Sequence, residues 1–116
     1  MKQNDDAILL DILNAARLAI EFTAGLDKTG FLEDLKVQSA VLHQLLVLGE
    51  AVKRLSENFR TQHSQVPWKN IAGMRDKLIH KYDDIDLEQV WKTVTADLPR
   101  LVALLEPFAP RRENET

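Results

Sequence analysis

Residues 74–86 read MRDKLIHKYDDID, and this polar stretch decides how the rest of the chain is interpreted. It packs an arginine, lysines, a histidine, a tyrosine and several aspartates around very few apolar side chains. The segment before it has helical spacing, with apolar residues at Trp68, Ile71, Met74 and Leu78. This spacing predicts a helix that starts with Pro67 in its first turn and ends near Tyr82. An acidic loop at 83–86 follows.

The segments on either side of this stretch also favour helices. Apolar residues recur at three- and four-residue steps from a first helix starting near Asp5 or Asp6, with Gly25 as its C-cap. Thr29-Gly30 interrupts the helical pattern, and a long helix is predicted over about 31–58. Residues 60–67 read as a polar loop.

The last helix is capped by Asp86, with Glu88 in its first turn, and is kinked or split at Pro99. No segment shows the period of a strand. The sequence therefore predicts an all-α bundle of four to five helices, with one domain over 1–106 and a flexible tail over 107–116.

Composition narrows the class of protein. The 116 residues suit a single domain, 45% of them are apolar and 28% are charged, and there is no cysteine for a disulfide, thiolate site or nucleophile. The longest apolar runs are too short to span a bilayer, and no signal-peptide core is evident, so we expect a cytoplasmic protein without membrane contact. The net charge of −3 argues against a generic nucleic-acid coat, although 67–81 is locally basic.

The long helix carries two features that need neighbours. Its apolar positions cover more than half of the helical wheel, so it either lies buried among three other helices or presents part of that surface to a second subunit. Gly49 in mid-helix costs about 1 kcal/mol relative to alanine, which a close helix–helix approach would explain. Glu50 lies at the edge of the apolar sector, where a carboxylate calls for a cationic partner.

On a helical wheel, the charged residues of the helix predicted over 67–82 point in different directions. At about 100° per residue, Arg75 lies within about 40° of Ile71 at the edge of the core, and His80 points to the opposite side. Arg75 therefore needs a carboxylate partner, either Glu50 or an aspartate from 83–86. Asp76, four residues before His80, could orient the imidazole. Arg75 and His80 can cooperate only through the length of the arginine, a helix break or a dimer interface.

Spacing alone favours modest roles for these residues. An arginine paired with a carboxylate, plus a surface histidine, is a more common arrangement than a site. Aspartates at 83–86 could suggest a divalent metal, but helix capping and loop solvation explain them better, and no zinc-type spacing is present. Trp68 and Trp91 are spaced as core residues. We expect no metal and no cofactor.

The chain resembles the HepT-like proteins of the HEPN superfamily, the toxin half of bacterial HEPN/MNT toxin–antitoxin pairs. The resemblance rests on Arg75-Asp76-Lys77-Leu78-Ile79-His80-Lys81-Tyr82: an arginine, four residues beginning with a polar one, a histidine, one residue and a tyrosine. Flanking features also fit, namely Gly49-Glu50-Ala51, Pro67-Trp68 with Ile71 and Gly73, and Val90-Trp91. The similarity covers about 8–106.

This resemblance implies a HEPN-type homodimer in which the motifs of both subunits meet in an interfacial cleft. It further implies a metal-independent endoribonuclease with Arg75 and His80 as catalytic residues. In the expected chemistry His80 exchanges protons with the ribose 2′-hydroxyl or the leaving oxygen, and Arg75 stabilises phosphoryl charge. Asp76 and Glu50 support the site, and Lys77 and Lys81 attract the RNA backbone. The expected product is a 2′,3′-cyclic phosphate, so DNA is inert.

The resemblance also implies a protein partner, a minimal nucleotidyltransferase (MNT) antitoxin that transfers AMP to Tyr82. Added anionic nucleotide would fill the cleft and repel RNA. The alternative is a non-catalytic helical subunit that docks a nucleotidyltransferase and binds its substrate. The acid at position 76 and the acidic net charge favour that alternative, because both repel phosphate.

Overall fold

The computed structural model describes residues 2–81 and 83–110, and all regular structure in that part of the chain is helical. The prediction of an all-α protein is therefore confirmed. The α-helices are α1 (Lys2–Phe22), α2 (Lys28–Leu32), α3 (Leu35–Arg54), α4 (Glu57–Gln62), α5 (Trp68–His80), α6 (Leu87–Lys92) and α7 (Leu98–Leu105). A π-helical turn, Thr93–Asp97, joins α6 to α7, and a 3₁₀ turn, Glu106–Phe108, follows α7. The chain thus has more helical segments than the four to five expected.

The core lies where α1 packs against α3 and α7. One face of α1 is fully buried, as its helical spacing predicts, and it meets an equally buried face of α3. The α1 residues of this contact are Leu9, Ile12, Leu13 and Ala16, and those of α3 are Val41, Leu45, Leu48 and Val52. The thinnest dimension of the molecule is 20 Å, about two helix layers. Within the described residues, no helix is long and apolar enough to cross a membrane.

The long helix expected over 31–58 is divided into three, so that prediction is wrong at both ends. Asp34 interrupts it near the start: its carboxylate accepts the Val37 N–H at 3.0 Å and caps α3. Ser56 interrupts it near the end, because its hydroxyl accepts the Phe59 N–H at 3.1 Å and caps α4. Each cap supplies an acceptor to a helix start that would otherwise leave N–H groups unpaired.

The first helix also differs at its ends. It begins before Asp5, and the Asp5 carboxylate bonds to Ser56 instead of capping its own helix. The helix stops at Phe22, and Gly25 closes the following turn with a φ of 83°, a conformation that glycine adopts without strain. Residues 60–67 were expected to form a polar loop. Helix α4 extends into this region as far as Gln62, and Val66 near its end is buried.

The start of α5 is fixed by Trp68. Pro67 stands at the N-cap position, one residue before the helix. The Trp68 indole N–H donates to the carbonyls of Arg60 at 3.2 Å and His63 at 3.0 Å, and the ring is buried. The expected core role of this tryptophan is confirmed. Its hydrogen bonds anchor the first turn of α5 on the chain that precedes it.

The last helical region follows its prediction closely. Asp86 caps α6 by accepting the Gln89 N–H at 3.1 Å, and Glu88 occupies the first turn. The α-helix, which was expected to be kinked or split at Pro99, is interrupted before that residue by the π-helical turn, although the backbone stays helical throughout. Pro99 cannot donate a backbone hydrogen bond, and the π-helical turn before it accommodates that missing bond. Phe108 then stacks on His63 with ring centroids 4.2 Å apart, so contacts continue past residue 106.

Candidate active site

Arg75 lies where α5 crosses α3 at close range. A Cβ at the buried Gly49 would overlap the Cβ of Arg75 and come within 2.9 Å of its Cγ. The absence of a side chain at 49 therefore makes room for the stem of the arginine. This is the close helix approach that Gly49 predicts, and it sets the depth at which Arg75 sits.

Two carboxylates hold the guanidinium of Arg75, one at each terminal nitrogen. Nη2 lies 2.7 Å from Oε1 of Glu50 on α3, and Nη1 donates to Oδ1 of Asp76 at 3.1 Å. The Arg75 side chain is 25% exposed, whereas that of Glu50 is 51% exposed. The expected pairing of Arg75 with Glu50 is confirmed. Each terminal nitrogen carries a second N–H, so the guanidinium keeps donors for a further anion.

Asp76 bridges the two helices through a second cation. Nζ of Lys53, near the end of α3, lies 2.6 Å from the same Oδ1 that accepts from Arg75. Hydrogen bonds from Lys53 and then from Arg75 hold the pKa of Asp76 below its ordinary value. Asp76, which by spacing could orient His80, has Lys53 and Arg75 as its hydrogen-bond partners among the described residues.

His80 does not join this cluster within one chain. It is the last residue of α5 and is exposed. Five residues of helix place it about 140° around the axis from Arg75. The Lys81 N–H makes the last helical hydrogen bond, to the Lys77 carbonyl at 2.9 Å, and the Lys81 backbone then leaves the helical conformation with φ −127° and ψ 36°. Tyr82, the expected site of AMP transfer, lies outside the described residues.

Arg75 borders a shallow depression of about 350 Å³ between α3 and α5. Its wall contains apolar side chains that solvent reaches, with Val47 37% exposed and Ile79 41% exposed. His43 also lines it, and sequence reasoning missed this residue. The available signal was spacing, because His43, Val47 and Glu50 lie four and three residues apart and share one helix face.

Lys77 and Lys81 point into a different feature. Both are exposed and line an open groove of about 1040 Å³ between α5 and the α6–α7 region. Lys77 follows Arg75 by two residues, which turns it about 200° around α5. The two lysines expected to contact RNA are thus separated from the depression that holds Arg75. Their RNA-binding role stays a prediction.

The acidic loop has a structural role. Asp86 caps α6, and the described residues contain no group of three or more histidine, aspartate or glutamate side chains that could hold a metal ion. The predicted capping role is therefore confirmed for Asp86.

Comparison with known proteins adds the family context. The sequence model of a family described as "Ribonuclease HepT-like" matches residues 12–108. This span includes the cluster around Arg75, and it includes His80 and Tyr82. No solved structure matches the chain significantly.

Several curated relatives share about two fifths of their residues with this chain. A protein of Thermococcus cleftensis named "Probable ribonuclease HepT" is 42% identical over 106 residues, which cover 91% of this chain and 96% of the relative. A protein of Methanocaldococcus jannaschii, named provisionally as an RNase, is 41% identical over 98% of this chain and 94% of its own length. Another such protein, from Caldanaerobacter subterraneus, is 42% identical over 78% of this chain and 80% of its own length. The relatives are partly archaeal, so a bacterial source stays a prediction.

Proposed function

The chain belongs to the HepT-like ribonuclease family, and from this premise we propose that it is a metal-independent endoribonuclease, the toxin of a type VII-like HEPN/MNT toxin–antitoxin pair. Relatives named as ribonucleases align over nearly its whole length, which supports RNA cleavage. The one observation that carries the proposal is the placement of Arg75. It is partly buried and open to a depression, and each of its terminal nitrogens keeps a second N–H for an anionic ligand.

The site is completed by a second copy of the chain. Arg75 and His80 lie on different sides of α5. The two side chains of one chain therefore cannot both reach one phosphate without a partner subunit or a large rearrangement. The depression beside Arg75 carries exposed apolar groups at Val47 and Ile79, which a second subunit would bury. A two-fold axis near this face would bring His80 of one subunit toward Arg75 of the other.

The proposed chemistry uses only side chains of the protein and the substrate's own hydroxyl. His80 accepts the proton of the ribose 2′-hydroxyl, or donates one to the leaving 5′-oxygen. Arg75 donates to the phosphoryl oxygens as negative charge develops. The 2′-oxygen forms a bond to phosphorus while the 5′-oxygen leaves, which yields a 2′,3′-cyclic phosphate. DNA lacks that hydroxyl and is not cleaved. Lys77 and Lys81 attract the RNA backbone from their groove.

Cleavage of tRNA or mRNA by the purified protein in EDTA tests this proposal. We expect products ending in a cyclic phosphate, and we expect Arg75→Ala and His80→Ala each to lower the rate by at least about 100-fold. Arg17→Ala serves as the matched control, because Arg17 is an exposed arginine paired with Glu106 on another part of the surface. The wild type failing to cleave, or His80→Ala cleaving at the wild-type rate, contradicts the proposal.

Neutralisation by a minimal nucleotidyltransferase is the second part of the proposal. The antitoxin transfers AMP from ATP to the Tyr82 hydroxyl and releases pyrophosphate. The added phosphate lies two residues from His80 and repels RNA. Co-expression with the antitoxin should add the mass of AMP to the wild type and leave Tyr82→Phe unchanged. An adenylylated Phe variant would show that another residue is the target.

The alternative, a non-catalytic subunit that docks a nucleotidyltransferase, has one observation in its favour. Both terminal nitrogens of Arg75 already contact carboxylates, which lowers the attraction of this site for phosphate. Expression in a host separates the two functions. A ribonuclease arrests growth and Arg75→Ala does not, whereas a docking subunit binds the nucleotidyltransferase and leaves growth unchanged.

In the proposed function the reaction takes place in the cytoplasm, within a single domain of about 1–106.

A further inference from the structure

The charge around Arg75 depends on a residue that the arginine–histidine motif does not contain. Glu50 and Asp76 both contact the guanidinium, so these three groups together carry one excess negative charge. Lys53 supplies the missing positive charge, and its Nζ lies 2.6 Å from Asp76 Oδ1. With Lys53 present, two cations balance two carboxylates at the place where a phosphate must approach.

Lys53 and Arg75 both contact the same oxygen atom of Asp76. This atom, Oδ1, ties the end of α3 to the middle of α5. Lys53 comes three residues after Glu50, so both side chains leave the same face of α3 toward α5. The same helix face thus presents one anion and one cation to the Arg75–Asp76 pair.

We propose that Lys53 is a positioning residue of the proposed ribonuclease site: it neutralises Asp76, so that this carboxylate orients Arg75 without repelling the RNA phosphate. Lys53 acts through Asp76 and does not itself need to touch RNA. The inference rests on the proposed function for its consequence in catalysis, and on the contacts of Lys53 and Arg75 with Asp76 for its mechanism. The lowered pKa of Asp76, caused first by Lys53, agrees with it.

A cycle of variants tests the proposal in the full-length protein. Lys53→Met keeps much of the apolar stem and removes the charge. We expect it to lower kcat/KM for RNA by about tenfold, since an unpaired anion then lies beside the reacting phosphate. Asp76→Asn keeps an oxygen that can accept from Arg75 and removes the negative charge. In that background, Lys53→Met should change kcat/KM by less than about twofold.

Two controls separate this role from a general effect of charge or folding. Lys36→Met removes an exposed lysine near the start of the same helix and should leave cleavage unchanged. Lys53→Arg should retain most of the activity, because it restores the cation. Lys53 is 36% exposed in a surface ion pair, so circular dichroism should show a folded Lys53→Met variant.

A readout independent of catalysis keeps the inference testable if the wild type does not cleave RNA. Carbon-13 NMR titration of the Asp76 carboxyl should give a higher midpoint in Lys53→Met than in the wild type. Fluorescence anisotropy with an uncleavable 2′-O-methyl oligonucleotide should show weaker binding by Lys53→Met, restored in the double variant. A loss of binding or activity that Asp76→Asn does not rescue would mean that Lys53 contacts RNA directly, which overturns the proposal. An unchanged Asp76 midpoint overturns it too.

Discussion

At the residue scale, the geometry of the candidate site depends on Gly49. The stem of Arg75 fills the space that a side chain at 49 would occupy. The sequence indicated a close approach at this position, because glycine in mid-helix is unfavourable without one. It could not indicate that Arg75 is the neighbour, since 25 residues and two interruptions between helices lie between the two positions and only the docking of α5 on α3 sets their distance.

Gly49→Ala should therefore destabilise the protein by about 1–3 kcal/mol, because the new methyl group overlaps Arg75 in a closely packed contact. Cleavage should fall as well, since the arginine must shift. Gly73→Ala is the matched control on α5. It has open space around the added Cβ and should stabilise by about 0.5–1 kcal/mol through helix propensity. Urea unfolding of both variants makes the comparison, and equal stability of the two would refute the packing argument.

Among the contacts around Arg75, some could be predicted from the sequence and others could not. Glu50 was predicted as a partner because a carboxylate and an arginine both lay at the edge of an apolar sector. Lys53 was not predicted, because its partner, Asp76, lies on another helix. Four-residue spacing would have allowed Asp76 to orient His80, but a cation from a neighbouring helix bonds to Asp76 instead. Contacts between helices depend on packing that spacing within one helix cannot supply.

At the scale of elements, the segment over 27–62 was the least predictable part of the fold. Its apolar residues continue with helical spacing through the breaks at Asp34 and Ser56, so periodicity alone gave one long helix. The caps were visible in the sequence as an aspartate and a serine, but such residues also occur on exposed helix surfaces. Asp86 was predicted correctly because a loop of aspartates precedes it and leaves no competing helical pattern.

The contact between Asp5 and Ser56 makes a testable link between α1 and the start of α4. The Asp5 carboxylate accepts the Ser56 N–H at 2.9 Å and its hydroxyl at 2.6 Å. Partial burial raises the pKa of Asp5, but these hydrogen bonds outweigh it, so the pKa lies below the ordinary 3.8. A lowered pKa in the folded state stabilises the protein above about pH 4, and this stabilisation is lost as the pH falls through the lowered value.

We expect Asp5→Ala to lower the free energy of unfolding by about 1–2 kcal/mol at pH 7, where the ionised carboxylate accepts both hydrogen bonds. The difference from the wild type should shrink as the pH drops below about 4. Asp6→Ala, at an exposed position in the same turn, should cost only about 0.3 kcal/mol. Urea unfolding at several pH values measures both variants. A difference for Asp5→Ala that stays constant down to pH 2 would contradict the assignment.

At the scale of the whole molecule, one chain holds Arg75 and His80 on different sides of α5. The all-helical architecture and the separation of Arg75 from His80 around α5 were both predictable, because each follows from helical periodicity. The face that a second subunit would cover was not predictable, since the apolar sector of α3 suited either burial or a second subunit. Val47 and Ile79, exposed beside Arg75, favour this face for the partner chain.

The two-chain site is tested most directly by mixing two inactive variants. Differently tagged Arg75→Ala and His80→Ala chains are co-expressed, and the mixed dimer is purified through both tags. If Arg75 of one subunit acts with His80 of the other, the mixed dimer holds one intact site and one doubly defective site. RNA cleavage should then return to about half the wild-type rate per dimer. A mixed dimer as inactive as its parents would contradict a site shared between subunits.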